Sequence, residues 1–221
     1  MSASNGTAIS PTMVKELRQK TGAGMMDCKQ ALQEAGGSME LAIEVLRKKG
    51  LKDLSKRAGK VAAEGAIGVY VHPGDQIVSI VELNCETDFV ARGDDFKTLA
   101  RDIAMHVAAM RPKYVSVDDI PANVIDKEKE IVLEQLNEAQ KAKADMIIPG
   151  KLESFYQDTV LLKQSYVKDD SGKKSVADLV NELSVKVGEK IQVRRFERFE
   201  VGEGIEKSKS NLAEEVAATL S

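Results

Sequence analysis

The residues with the most distinctive chemistry lie in the segment NCETDFVAR, at positions 84–92. Thr87 is a good helix N-cap, and Asp88 falls where a negative charge stabilises the first turn of a helix. Phe89, a large aromatic beside an acid, either packs on the core or is presented to a partner, and local sequence alone favours burial. The segment follows alternating apolar residues and precedes a helical pattern, which predicts a strand-to-helix turn at the surface.

The other residues that could do chemistry do not form a catalytic or metal-binding pattern. The histidines are His72, at a predicted hairpin turn, and His106, in a predicted helix at the edge of the core. Cys28 and Cys85 are far apart and lack metal-ligand spacing, so we expect reduced, partly buried thiols. A Walker motif is missing from the sequence. We therefore predict that the protein is not an enzyme and carries no metal or cofactor.

Composition and charge are those of a globular protein with a mildly basic first part. Residues 1–64 contain 11 Lys and Arg against 7 Asp and Glu, whereas the rest of the chain is acidic. This asymmetry suits an acidic partner, but it is too small for a nucleic-acid footprint. The first ten residues have neither an apolar secretory pattern nor an Arg-rich transit pattern, and no window reaches the roughly 18 apolar residues of a membrane span.

Residues 10–50 predict three short helices separated by glycine turns, and the third helix is expected to end at Gly50. Three such helices resemble a bundle of the ubiquitin-associated (UBA) type. We expect residues 1–9 to be disordered and residues 51–64 to form a helical linker.

Residues 65–205 predict an α+β core. A hairpin turns at 73–75, helices follow at 94–110, from 118 to about 143 and at 151–162, and a Ser175-capped helix leads to a third strand near Ile191. The fold class is therefore α+β: a helical bundle followed by a small three-stranded antiparallel sheet packed on helices. The second face of such a sheet needs cover, which another subunit can supply. Residues 206–221 predict a short helical tail.

Several ordered motifs resemble bacterial and organellar elongation factor Ts over about residues 10–206. They are VKELR at 14–18, TGAGMMDCK at 21–29, ELNCETDFVAR at 82–92, GEKI at 188–191 and RRF at 194–196. Long motifs in the same order and spacing are much more specific than a single short pattern.

The resemblance implies a guanine-nucleotide exchange factor for elongation factor Tu in translation elongation. It implies that the TDFV segment, Thr87 to Val90, inserts near the partner's Mg²⁺ site, with Asp88 and Phe89 at its front. It also implies that the N-terminal module docks on the partner's nucleotide domain, and it gives contact roles to four residues there: Arg18, Met25, Met26 and Lys29. The family match thus favours presentation of Phe89 to a partner.

The chain is short for this family, whose longer members have a second core subdomain and an inserted coiled coil. Short members are expected to form homodimers through the sheet, which implies a 2:2 complex with the GTPase. We expect a cytoplasmic protein, with the chloroplast stroma as the alternative. A rival interpretation from the first fifty residues is a non-catalytic adaptor that binds ubiquitin-like or ribosomal partners, and the TDFV segment argues against it.

Overall fold

The computed structural model describes residues 9–21, 23–57 and 59–205, without the side chains of residues 51–53 and 55. The expected disorder of residues 1–8 and the expected tail at 206–221 lie outside the described residues. The elements, in chain order, are α1 (Pro11–Thr21), α2 (Met25–Glu34), α3 (Met39–Arg57), β1 (Glu64–Val71), β2 (Ile77–Cys85), α4 (Asp88–Arg92), α5 (Asp94–Met110), a 3-10 turn (Val117–Asp119), α6 (Ala122–Gln135), α7 (Glu138–Lys141), α8 (Ala144–Thr159), a second 3-10 turn (Leu161–Lys163), α9 (Val176–Val187) and β3 (Gln192–Glu200).

The first three helices share a small hydrophobic core of their own. Val14 and Leu17 of α1 pack there with Cys28 and Leu32 of α2 and with Ala42 of α3. The apolar residues recur at helical spacing on each element, so one face of each helix is buried. The three predicted N-terminal helices are therefore present and packed together.

The sequence predicted that the third helix ends at Gly50, but α3 continues to Arg57. Gly50 is buried, and a β-carbon at this position would lie 3.2 Å from Cγ2 of Val185 in α9. A glycine inside a helix is about 1 kcal/mol less favourable than alanine, but here the missing side chain allows α3 to approach α9 closely. The expected helical linker is thus helical only over its first part.

The sheet is antiparallel in the order β1-β2-β3, so the predicted third strand does pair with the hairpin. Val69 of β1 lies opposite Ile80 of β2, which lies opposite Glu197 of β3. Helix α5 packs over one face of the sheet, and α9 packs beside α5. The buried core there includes Val81, Leu83, Phe96, Ile103, Val107, Leu161, Val176, Val180, Ile191 and Val193. A β-carbon at Gly68 would overlap the carbonyl oxygen of Ala100, which explains the glycine under α5. The predicted α+β fold class is confirmed.

The opposite face of the sheet carries exposed apolar side chains. Ile67, Val69 and Val71 alternate along β1, with Ile80 beside them on β2 and Phe199 on β3. Alternate residues of a strand point to the same face, so these five side chains share one surface. We call them the open sheet face.

The helices between residues 122 and 159 differ from the sequence expectation at two points. The predicted helix to about residue 143 breaks after Gln135, because the side chain of Asn137 accepts a hydrogen bond from the Gln140 N–H and starts α7. Pro149 does not separate two helices but lies inside α8. A proline there removes one backbone donor, and the remaining hydrogen bonds of the helix continue around it.

The sequence predicted His106 at the edge of the core, but it lies fully inside the core. The N–H of Val167 donates to its Nδ1 at 3.2 Å, and its Nε2 lies 3.0 Å from Oε1 of Gln164. Nδ1 is therefore an acceptor, and the ring is neutral with its proton on Nε2. Burial lowers the pKa of His106, in agreement with the neutral ring. The thiols of Cys28 and Cys85 are free and fully buried, more so than expected.

Candidate functional site

Residues 84–92 form the predicted strand-to-helix turn. Strand β2 ends at Cys85, and α4 begins at Asp88. The backbone of Thr87 is extended, and its hydroxyl oxygen accepts a hydrogen bond from the N–H of Val90 at 3.4 Å. Thr87 is therefore the N-cap, as predicted. We call residues 87–92 the tip.

The side chains of the tip divide between solvent and core. Phe89 is 84% exposed, whereas Ala91 is buried and Val90 is half-buried against the main core. On a helix, residues 89 and 91 point in nearly opposite directions, so the burial of Ala91 directs Phe89 outward. The burial that local sequence favoured for Phe89 is wrong, since a ring on this side of α4 has no core to reach.

Asp88 lies on the exposed side with Phe89. Its Oδ2 forms an ion pair of 2.8 Å with the Arg92 guanidinium, one helical turn later, and both side chains are mostly exposed. Pairs of this spacing on a helix surface contribute about 0.3–0.5 kcal/mol. The carboxylate is thus held loosely and can exchange its partner when another surface approaches.

The carboxylate of Glu189, distant in the sequence, accepts three hydrogen bonds where the tip begins. Glu189 follows α9, and its Oε2 accepts the backbone N–H of Glu86 at 3.1 Å and that of Thr87 at 3.0 Å. Its Oε1 accepts the Thr87 hydroxyl at 2.6 Å. Sequence reasoning gave Glu189 no role because it lies 102 residues from Thr87. The only signal was its place in the GEKI motif.

Glu86 makes the reciprocal connection. Its Oε1 accepts the N–H of Lys190 at 2.7 Å, and its Oε2 pairs with Lys60 Nζ at 2.7 Å. The Lys60 ammonium and then the Lys190 N–H hold the pKa of the Glu86 carboxyl below its usual value. The residue before the tip is therefore joined to the segment that leads into β3 and to the segment that follows α3.

The second predicted set of residues lies on the N-terminal bundle. Met25, Met26 and Lys29 stand together in the first turns of α2, where Met25 is 46% and Met26 76% exposed. Arg18, also exposed, lies on the neighbouring α1. Burial raises the pKa of the Cys28 thiol, and the nearby Arg18 opposes this rise only in small part. We call these four residues, Arg18, Met25, Met26 and Lys29, the N-terminal patch.

The N-terminal patch and the tip lie on helices that pack into different hydrophobic cores, that of the bundle for the patch and that of the sheet for the tip. In the described residues, no group of three or more His, Cys, Asp or Glu could hold a metal ion. None of the helices there is long and apolar enough to span a membrane.

The structure is that of an α+β protein whose candidate functional side chains, on the tip and the N-terminal patch, are exposed at the surface. Residues 12–182 match the family described as Elongation factor TS. Elongation factor Ts of Moorella thermoacetica is 55% identical over 202 residues, which cover 90% of this chain and 98% of that protein. That of Anaeromyxobacter dehalogenans (strain 2CP-1) is 53% identical over 211 residues, 95% of each chain, and that of Desulforamulus reducens is 51% identical over 214 residues, 96% of this chain and 98% of that protein. The chain belongs to the elongation factor Ts family, and the resemblance drawn from its motifs is confirmed.

Proposed function

We propose that this protein is a guanine-nucleotide exchange factor that binds elongation factor Tu, in its GDP-bound and nucleotide-free forms, during translation elongation. Membership of the family supports this role. The observation that carries it is the exposure of Phe89 on a helix that is fixed to the core behind it. We place the activity in the cytoplasm, with the chloroplast stroma as the alternative.

The proposed mechanism is displacement of the partner's Mg²⁺ and phosphate contacts. Mg²⁺ requires nearly octahedral oxygen ligands at about 2.0–2.1 Å, so a small shift of one ligand weakens its binding. Phe89 supplies the apolar wedge and Asp88 a polar contact, while Thr87 caps the helix that carries them and Val90 anchors it. The exchange factor and GDP then weaken each other's binding equally. No bond of the nucleotide breaks, so the protein is not an enzyme.

We assign the N-terminal patch to a second contact on the same partner. Methionine side chains are flexible and polarisable, and they adapt to an apolar surface. Arg18 and Lys29 add positive charge to the same helical bundle, which suits an acidic partner surface. In this arrangement the patch supplies affinity, and the tip acts on the nucleotide site.

We also propose a homodimer through the open sheet face, giving a 2:2 complex with elongation factor Tu. The open sheet face carries an exposed apolar stripe, and a twofold axis would place it against itself. The variant Val69→Glu should be monomeric in sedimentation at micromolar concentration, whereas Val61→Glu, at an exposed valine outside the sheet, should remain dimeric. A wild-type monomer under these conditions would contradict the proposal.

Release of a fluorescent GDP analogue from elongation factor Tu tests the main function. We expect the wild-type protein to accelerate release when it is added in catalytic amounts, because one exchange factor can act on many partners. Unchanged release even at equimolar concentration would exclude the exchange role.

A further inference from the structure

We propose that Glu189 is a positioning residue, whose carboxylate fixes the direction in which Asp88 and Phe89 project. The effect on nucleotide release rests on the exchange function proposed above. The effect on the order of the tip rests on the hydrogen bonds of Glu189 alone. The proposal therefore has two parts that can be measured separately.

The carboxylate determines how the N-cap hydroxyl is oriented. A threonine hydroxyl has one proton to donate and lone pairs to accept with. Since an ionised carboxylate can only accept, the proton of Thr87 Oγ1 points toward Glu189 at 2.6 Å. A lone pair of the same oxygen is then free for the N–H of Val90. Without Glu189 the hydroxyl can rotate, and α4 loses a fixed cap.

The same carboxylate satisfies two backbone donors that the sheet does not. The last pair in the β2–β3 register is Asn84 with Gln192, so the N–H groups of Glu86 and Thr87 lie beyond the ladder. Glu189 accepts both of them. Hydrogen bonds to a charged acceptor are roughly twice as strong as neutral ones. The Glu189 side chain thus continues the connection between the segment after β2 and the segment before β3, beyond the end of their pairing.

Glu189 can act as a brace because its own position is fixed by the core. It follows Gly188, which ends α9 in the left-handed conformation with φ 77°. Its carbonyl oxygen accepts the hydroxyl of Ser184, and Leu183 of the same helix is buried in the main core. Movement of the main chain that carries the carboxylate would therefore require movement of α9.

Apart from Glu189, the tip is held by the packing of Val90 and Ala91 on the main core. Helix α4 contains 5 residues, which is less than the length at which helices are stable alone. Phe89 is exposed and makes no core contact that could fix its ring. The packing of Ala91 sets the side of α4 on which Phe89 lies, and the cap at Thr87, where Glu189 acts, limits how far α4 can depart from that orientation.

The first experiment measures the order of the tip in the free protein. The chain contains no tryptophan, so Phe89→Trp introduces a single tryptophan whose fluorescence can be excited selectively. In that background, Glu189→Ala should increase the amplitude of nanosecond depolarisation in time-resolved anisotropy. Glu189→Gln, which keeps one acceptor oxygen, should increase it less. Glu182→Ala, at an exposed carboxylate of α9 paired with Lys174, should leave it unchanged.

The second experiment is a double-mutant cycle in GDP release from elongation factor Tu. Glu189→Ala should lower the second-order rate constant about tenfold, the effect expected for lost hydrogen bonds to a charged group. If Glu189 acts through Phe89 and Asp88, the same substitution should have a clearly smaller effect in the Phe89→Ala background. The melting temperature of each variant is measured alongside, and Glu189→Gln replaces Glu189→Ala if the latter does not fold.

The outcomes separate this proposal from the exchange function. Wild-type protein that fails to accelerate release would contradict the exchange function, while the anisotropy would still decide whether Glu189 orders the tip. Unchanged anisotropy in both Glu189 variants would overturn the positioning role. An equal loss of rate with and without Phe89 would overturn it too, because Glu189 would then act elsewhere.

Discussion

The tip and the N-terminal patch both expose apolar side chains, but they are built in different ways. The tip presents one rigid ring on a helix whose cap and backbone are fixed by Glu189. The patch presents two flexible methionines on α2, whose N-cap is Gly24 and has no side-chain cap. A fixed ring suits an action that needs one geometry, and flexible side chains suit a contact that needs only affinity. The two regions should therefore fail differently when mutated.

The largest effect should come from Phe89→Ala. We expect the maximal rate of GDP release from elongation factor Tu to fall about a hundredfold, the size of effect seen when a central aromatic is truncated. The free energy of unfolding, measured in urea, should change by less than about 0.5 kcal/mol because the ring is exposed.

The matched control for this prediction is Phe89→Leu, which keeps an apolar side chain and removes only the flat ring. We expect it to retain an intermediate rate. A Phe89→Ala variant with the wild-type maximal rate would show that the tip is not the wedge, and the contrast between the two regions would disappear.

The double variant Met25→Ala/Met26→Ala should have a smaller effect of another kind. We expect about a tenfold rise in the half-saturating concentration, from the loss of two apolar contacts, with little change in the maximal rate. The control is Met146→Ala, at a methionine that is 81% exposed and distant in sequence from both regions. A lower maximal rate with unchanged half-saturation would instead place the patch at the nucleotide site.

The sequence predicted these regions unequally, and the reason is the range of the interactions involved. Thr87 could be identified as an N-cap because its partner, Val90, is three residues away. Gly50 inside α3, the burial of His106 and the role of Glu189 depend on partners on other elements, namely Val185, Gln164 and Thr87. Local patterns cannot show such pairings.

The exposure of Phe89 also depends on contacts between elements that are distant in the sequence. Its neighbours Val90 and Ala91 are also apolar, so sequence alone does not say which of the three faces the core. The packing of α4 against the sheet decides it. For the N-terminal patch the family motif named the residues, and the structure adds that both methionines are exposed.

The buried thiols offer a more modest comparison, because one lies under each region. Cys85 donates to the carbonyl of Thr87 at 3.1 Å, whereas Cys28 makes a longer contact of 3.7 Å with Ala23. Burial raises the pKa of both, that of Cys85 to about 11, so thiolate is scarce in the closed state. Reaction then depends on local opening, and the smaller bundle core should open more readily. We expect a thiol reagent to label Cys28 several-fold faster.

Single-cysteine variants assign these two rates. Cys85→Ser leaves only the fast phase and Cys28→Ser only the slow one, while both thiols should react alike in urea. Faster labelling of Cys85 in the native protein would show that the tip is the looser region, against the contrast drawn here.

The smallest expected effect is the acid sensitivity of the tip. Lys60 and the Lys190 N–H lower the pKa of Glu86 in the folded protein, so its stabilising contribution is present above its unfolded pKa and is lost as pH falls through the folded value. Between about pH 6 and about pH 3, the melting temperature of Glu86→Gln should therefore fall less than that of the wild type. The melting temperature of Lys60→Met should also fall less than that of the wild type over this range, because the substitution removes the main cause of the lowered Glu86 pKa.

Tryptophan reporters compare the two regions directly. The anisotropy of Phe89→Trp should fall on acidification before that of Met26→Trp, since carboxylates hold the tip whereas apolar packing supports the patch. Equal loss at both reporters would mean that acid loosens the whole fold and that the tip has no separate electrostatic support.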